Sequence, residues 1–202
     1  MTQLQHKIAI VTGAGGGFGE GIAQAYVKEG ARVVVADINS TAAQRVAASL
    51  GAHASAFTCD VSQASQVQAL VAHCVSQFGV PDIVVNNAGT THKNRPMLEV
   101  DEAMFDKIFS VNVKSIFHMT HAVVPLMRKQ GRGVILNIGS VAGIRPRPGL
   151  SWYNASKGAV NVLSKSMAVE LGPENIRVNA ICPVMGVTGL FEEFMGLPDT
   201  TT

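Results

Sequence analysis

The sequence predicts an α/β protein built as one domain, residues 1–202, on a doubly wound parallel sheet. Three observations carry that expectation. Short β-rich runs alternate with helical patterns along the chain, as in successive β-α units. The β-rich runs are almost continuously apolar, as in Ile8-Ala-Ile-Val11, Val33-Val-Val35 and Ile83-Val-Val85. Such runs imply burial on both faces, the habit of parallel strands. A glycine-rich turn, Thr12-Gly-Ala-Gly-Gly-Gly-Phe-Gly19, joins the first strand to the first helix.

In chain order, the first strand is Lys7–Val11 and the first helix Gly19–Glu29. A second strand, Arg32–Ala36, precedes a helix over Thr41–Leu50. Ala54–Thr58 and Ala64–Phe78 form the third strand and helix, and Ile83–Asn86 the fourth strand. The fourth crossover is a long helix, Asp101–Lys129, in which Pro125 is expected to cause a kink or local break. Gly133–Ile138, the helix Tyr153–Leu171 and the strand Ile176–Ile181 complete the order. Six strands with five crossovers make the doubly wound sheet the strongest reading. No repeat, low-complexity tract or linker divides the chain.

The composition is 47% hydrophobic and 5% aromatic with 20 glycines, and the net charge is +2. These values suit an Ala/Val/Ile/Gly-rich α/β protein. No basic cluster exceeds short runs such as Met127-Arg-Lys-Gln-Gly-Arg132, so a nucleic-acid partner is not expected. No apolar stretch approaches membrane-spanning length, and Met1–Lys7 leads directly into a strand without a signal peptide. Cys59, Cys74 and Cys182 are odd in number and lack metal spacing, which suggests reduced thiols in a cytoplasm. His118 and His121 stand three apart, but nothing completes a ligand set, and no metal is expected.

The glycine turn allows close approach of backbone to a pyrophosphate at the positive end of a helix. It lacks the Gly-Lys-Ser/Thr end of a P-loop, which disfavours ATP hydrolysis. Asp37 ends the second strand eighteen residues after Gly19. A carboxylate there can accept hydrogen bonds from an adenosine ribose and would repel a 2′-phosphate. The alternative, a helix cap, is better served by Asn39 or Ser40. With no Arg or Lys beside Asp37 in the sequence, NAD is favoured over NADP. Asp60-Val61, Asn86-Asn-Ala-Gly89 and Ser140 also fall at carboxyl ends of strands, where open sheets bind ligands, although each could be a turn or cap residue. Asn112 is a mediocre helix former inside a helix, so its side chain either has another task or faces solvent.

Tyr153 and Lys157 are four residues apart, one helical turn, and Tyr153 comes thirteen residues after Ser140. An isolated tyrosine titrates near ~10. A cation roughly 4 Å away could lower that by a few units and let the phenol exchange a proton with an alcohol or carbonyl. Arg145 and Arg147 border this region in Ile144-Arg-Pro-Arg-Pro-Gly149. A solvated, proline-stiffened loop is the preferred reading there, and contact with an anionic substrate the alternative.

Taken together, Thr12–Gly19, Asp60, Asn86–Gly89, Asn112, Ser140, Tyr153 and Lys157 resemble the short-chain dehydrogenase/reductase family in order and spacing, nearly to Thr188. The look-alikes are its 3-oxoacyl-[acyl-carrier-protein] reductase and glucose dehydrogenase groups. The resemblance implies a three-layer Rossmann-like domain and hydride transfer between NAD(H) and a secondary alcohol or ketone, without metal. It implies that Tyr153 donates or accepts the proton and Ser140 positions the substrate oxygen. Lys157 would lower the tyrosine pKa and bind the nicotinamide ribose, and Asn112 would anchor a relay water. Gly13, Gly17, Phe18, Gly19, Asp37, Asp60, Val61, Asn87, Ala88, Gly89, Tyr153, Lys157, Pro183 and Thr188 would contact the dinucleotide. The two long helices would form a homodimer or homotetramer interface.

Three departures stand out: Phe18 in place of a small aliphatic, Val184 in place of a glycine, and an end at Thr202. Family members commonly run on for roughly fifty residues, with a further strand; without it, Ile176–Ile181 would be an exposed edge. The competing expectation is therefore a catalytically silent dinucleotide-binding protein.

Overall fold

The structure, a computed structural model, describes residues 2–184, 186, 193 and 194 of the chain. Its centre is a parallel sheet of β1 (Ile8–Thr12), β2 (Arg32–Asp37), β3 (Ala54–Thr58), β4 (Ile83–Asn86), β5 (Gly133–Ile138) and β6 (Ile176–Ile181). The strands lie in the order β3-β2-β1-β4-β5-β6. The direction of winding reverses between β1 and β4, the place where sheets of this kind open a crevice at the strands' carboxyl ends. Every strand expected from the sequence is present, displaced by at most one residue at an end.

The helices are α1 (Gly17–Lys28), α2 (Ser40–Leu50), α3 (Ala64–Gln77), α4 (Glu102–Phe109), α5 (Ser115–Gln130) and α6 (Ser151–Leu171). Local chemistry sets their ends. Asn39 caps α2 by accepting from the Ala42 amide at 3.0 Å, and Asp101 caps α4 through Met104 at 2.8 Å. Gly131, with φ +71°, terminates α5 in the left-handed region.

Strand alternation divides the core between two faces. Ile8 and Ile10 of β1 pack with Val67 and Leu70 of α3, Met119 and Met127 of α5, and Val160 of α6. Ala9 and Val11 point the other way, against Ala23 of α1 and Ala43 and Val46 of α2. Both faces of β1 are therefore dry, as its unbroken apolar run requires. By contrast, β6 alternates between buried and exposed residues and stands at the edge of the sheet among the described residues.

A buried polar chain crosses the centre. Asn86 of β4 donates to its cross-strand partner Asn137 of β5 at 2.8 Å, and Asn137 donates to Ser164 of α6 at 2.9 Å. Neither asparagine could be apolar without orphaning the other.

The long fourth helix differs from expectation. The chain stays helical through Pro125, inside α5. The departure falls earlier, at a π-turn over Ser110–Lys114. The extra residue of that turn brings Asn112 inward, where its buried amide finds partners on Thr90 and Ser156.

Candidate active site

The glycine loop is held by its neighbours. Gly13 and Gly17 adopt φ +62° and +55°, conformations that disfavour a side chain. A Cβ on Gly13 would lie 2.8 Å from Ala88 Cα, and one on Gly19 would lie 2.2 Å from the Gly13 carbonyl oxygen. Asn87 donates its side-chain amide to the Thr12 and Gly13 carbonyls at 2.8 and 3.0 Å. The Thr12 hydroxyl accepts from the Asn87 and Ala88 amides at 3.0 and 3.1 Å. Thr12 thus joins the ends of β1 and β4, a role its place in the sequence does not single out.

Asp37 accepts from the Gly15 amide and the Asn39 amide, both at 2.9 Å. The carbonyl of the same Gly15 accepts from Arg45 at 2.9 Å, so an arginine does stand one peptide away from Asp37. It was invisible in the sequence because α2 carries it back over the loop. Glu20 of α1 pairs with that guanidinium at 3.0 and 2.7 Å. The acid holds the Arg45 cation in an ion pair beside the loop. Asp60 accepts from the amide and hydroxyl of Ser62 at 2.9 and 2.7 Å.

At the other end of the crevice, Ser140 follows β5, and its hydroxyl accepts from the Ala142 amide at 3.0 Å. Tyr153 and Lys157 lie one turn apart on α6, both buried. The Lys157 ammonium donates to the Ile138 carbonyl at 2.7 Å and sits 5.9 Å from the Tyr153 ring centroid. Burial brings Lys157 down to about 8. For Tyr153 the net direction is upward, against the expectation from its spacing. Burial pushes the phenol up, while hydrogen bonding with Ser140 and the charge of Arg147 pull it back.

Ser140, Tyr153, Lys157, Gly13, Gly17, Phe18, Asp37, Asp60 and Val61 all line one cavity of about 590 Å³, together with Asn87, Ala88, Gly89 and Pro183. Thr188 lies outside the described residues. Gly19 and Asn112 are not among the lining residues. Gly19 serves close packing of α1 on the loop, and the Asn112 side chain is used on Thr90 and Ser156. Phe18 packs toward Gly186, where an added Cβ would lie 2.3 Å from the ring. The lining also includes Ile38 and Leu150, apolar neighbours of Asp37 and Tyr153 with no chemistry of their own to mark them, and Lys107 and Phe194, which lie away from the motifs.

The residues present fit a dinucleotide. The first turn of α1 has no side-chain cap, and nothing lies within 4 Å of where a Cβ on Gly16 would point. That open cradle of backbone N–H groups suits a pyrophosphate, with Asp37 placed for a ribose.

Residues 7–195 match the family model described as short chain dehydrogenase. The chain is 44% identical over 200 residues to 4-formylbenzenesulfonate dehydrogenase of Comamonas testosteroni, covering 98% of this chain and 79% of the relative. It is 41% identical over 184 residues to 7alpha-hydroxysteroid dehydrogenase of Escherichia coli K12, covering 90% and 71%. Among solved structures, the 3-ketoacyl-(acyl-carrier-protein) reductase of Brucella melitensis complexed with NADH superposes with a TM-score of 0.94 at 44% identity. That match covers 96% of this chain and 81% of the reductase.

Proposed function

The chain belongs to the short chain dehydrogenase family, and on that premise we propose that it interconverts a secondary alcohol and a ketone with NAD(H). The observation that carries this reading is the single cavity shared by Ser140, Tyr153, Lys157 and the open N-terminus of α1. NADH, when bound, supplies the hydride that reduces the carbonyl carbon. The residues of the chain do the rest. Ser140 holds the substrate oxygen, and Tyr153 gives that oxygen a proton. A phenol pushed up by burial stays protonated at neutral pH and is ready to act as the acid. Lys157, fixed on the Ile138 carbonyl, presents its remaining protons toward the cavity for a ribose. Asn112 acts by holding Thr90, next to Gly89, so that the loop after β4 keeps its shape.

NAD preference rests on Asp37, whose carboxylate would face a 2′-phosphate, and on Glu20, which keeps Arg45 paired. The NADH held by the Brucella melitensis neighbour points the same way. The assembly is a homodimer or homotetramer through α5 and α6, which turn Phe117, Val162 and Val169 outward at 55%, 64% and 81% exposure. Three free cysteines, two of them buried, fit a reducing cytoplasm. No helix among the described residues is long and apolar enough to cross a membrane.

Tyr153→Phe tests the reading. Loss of a general acid costs about 10²- to 10⁴-fold in turnover, and NADH binding should stay close to that of the parent. Turnover unchanged in Tyr153→Phe would refute the assignment. A parent chain that binds NADH but reduces no ketone would point instead to a silent binding protein.

A further inference from the structure

The charges lining the cavity are separated by strand order. Of its two carboxylates, Asp37 ends β2 and Asp60 follows β3. Ser140 follows β5, which is three strands away from β2 in the sheet. At about 4.8 Å per strand the gap is about 14 Å, more than the ~8 Å over which exposed charges act at physiological salt. Arg147 lines the cavity from the loop between β5 and α6, on the Ser140 side. Among the described residues no carboxylate pairs with its guanidinium.

The backbone carrying Arg147 is fixed. Pro146 and Pro148 flank it. Buried Asn154 donates to the Arg147 carbonyl at 2.8 Å. Asn94 donates to the Pro148 carbonyl at 3.2 Å, and the Arg95 amide to the Gly149 carbonyl at 3.1 Å. Beside the polar Ser140 and Lys157, the cavity also has apolar lining from Leu150 and Ala142, and the Phe194 ring lies edge-on to Tyr153 at 5.1 Å.

An exposed guanidinium carried on a tied backbone, lining the cavity with Tyr153 and in no ion pair among the described residues, is suited to receive an oxyanion on a partly apolar body. We propose that the substrate is an organic anion, and that Arg147 binds its carboxylate or sulfonate while the carbonyl or hydroxyl lies at Tyr153. The proposal rests on the dehydrogenase reading above and names the substrate class of that site. Arg147 and Tyr153 line the same cavity. Reduction of such a ketone takes a hydride from NADH at carbon and a proton through Tyr153 at oxygen. It leaves a secondary alcohol and NAD⁺, with the anion unchanged.

The test compares 4-acetylbenzoate and 4-acetylbenzenesulfonate with the neutral methyl 4-acetylbenzoate. Binding is measured by calorimetry on the NADH complex of Tyr153→Phe, and turnover by NADH oxidation with the parent protein. One charge-assisted hydrogen bond predicts that at least one anion binds on the order of 10- to 100-fold more tightly than the ester. Arg147→Ala should bring that ratio close to one, and Arg147→Lys should keep much of it. The better anion distinguishes carboxylate from sulfonate. A parent ratio near one, or a preference that survives Arg147→Ala, overturns the proposal. Anion binding through Arg147 without NADH oxidation would leave the anion site standing and remove the dehydrogenase reading. Oxidation of NADH by the ester, with no effect of Arg147 on the ratio, would do the reverse.

Discussion

At the scale of single residues, the site is governed by burial. Lys157 titrates near 8 in the folded chain and near 10.5 when unfolded. Between those values the unfolded state binds more protons, so stability rises with pH across the window. Below pH 8 the folded protein carries the whole cost of a buried ammonium, about 3 kcal/mol. Lys157→Met removes that cost at every pH but leaves the Ile138 carbonyl without its donor. Melting curves should show the variant's stability relative to the parent at its highest below pH 8 and falling steadily toward pH 10.5. A flat difference would mean the lysine is better solvated than its position implies. Tyr153 gives a second check through its upward direction. Ketone reduction should hold level through neutral pH and decline only at alkaline pH, as the phenol loses its proton; a decline already near pH 7 would contradict a burial-dominated phenol.

At the scale of elements, polar ties between helices and strands set the crevice. The Asn86–Asn137–Ser164 chain links β4, β5 and α6, the elements that carry the loops around Ser140 and Tyr153. Asn137→Ala would orphan the Asn86 amide in a dry interior at a cost of about 1–3 kcal/mol, a fall in Tm of several degrees for a domain of this size. An unchanged Tm would show that water takes up the broken bond. The Glu20–Arg45 pair behaves differently because the Arg45 side chain is open to solvent and Glu20 only partly covered, and pairs near the surface stabilise little. Its work is on the Gly15 peptide, which Arg45 holds by the carbonyl and Asp37 by the amide. Arg45→Ala should therefore weaken NADH binding with little change in Tm, measured by calorimetry and thermal melting on one sample. Equal NADH affinity in variant and parent would show that Asp37 holds the loop unaided.

At the scale of the whole molecule, cofactor binding reports on the entire crevice at once, because its parts come from both sides of the point where the sheet reverses. NADH at a hundredfold its dissociation constant should stabilise the protein by about 2.7 kcal/mol, a rise of roughly 5–10 °C. NADPH should give a much smaller rise, and the gap should narrow in Asp37→Ser. Equal shifts from the two cofactors would remove Asp37 as the discriminator. Apolar side chains turned outward on α5 and α6 make the second expectation at this scale, a dimer or tetramer by light scattering. A monomer at micromolar concentration would remove that surface as an interface.

Much of this was legible in the chain because it depends on local pattern. Short apolar runs rich in β-branched residues, such as Val33–Val35, point to buried strands, and a glycine turn that could be merely a turn gains meaning from its place in the first β-α unit. The end of each strand also marks where ligands meet the sheet, so Asp37, Asp60 and Ser140 could be named before their distances were known. Spacing was a poor guide wherever the outcome depended on groups far apart in sequence. Pro125 suggested a break, but the ladder changed at Asn112, drawn inward by Thr90 and Ser156. The four-residue spacing of Tyr153 and Lys157 suggested a lowered phenol, but burial decided its direction. Arg45 lay eight residues beyond Asp37 in the sequence and one peptide from it in space. Arg147 is exposed in its proline-flanked loop, as the sequence suggested, but only the folded chain shows that it also lines the crevice. Secondary structure follows from periodicities within a segment, whereas charge and solvation depend on what the finished packing places beside a group.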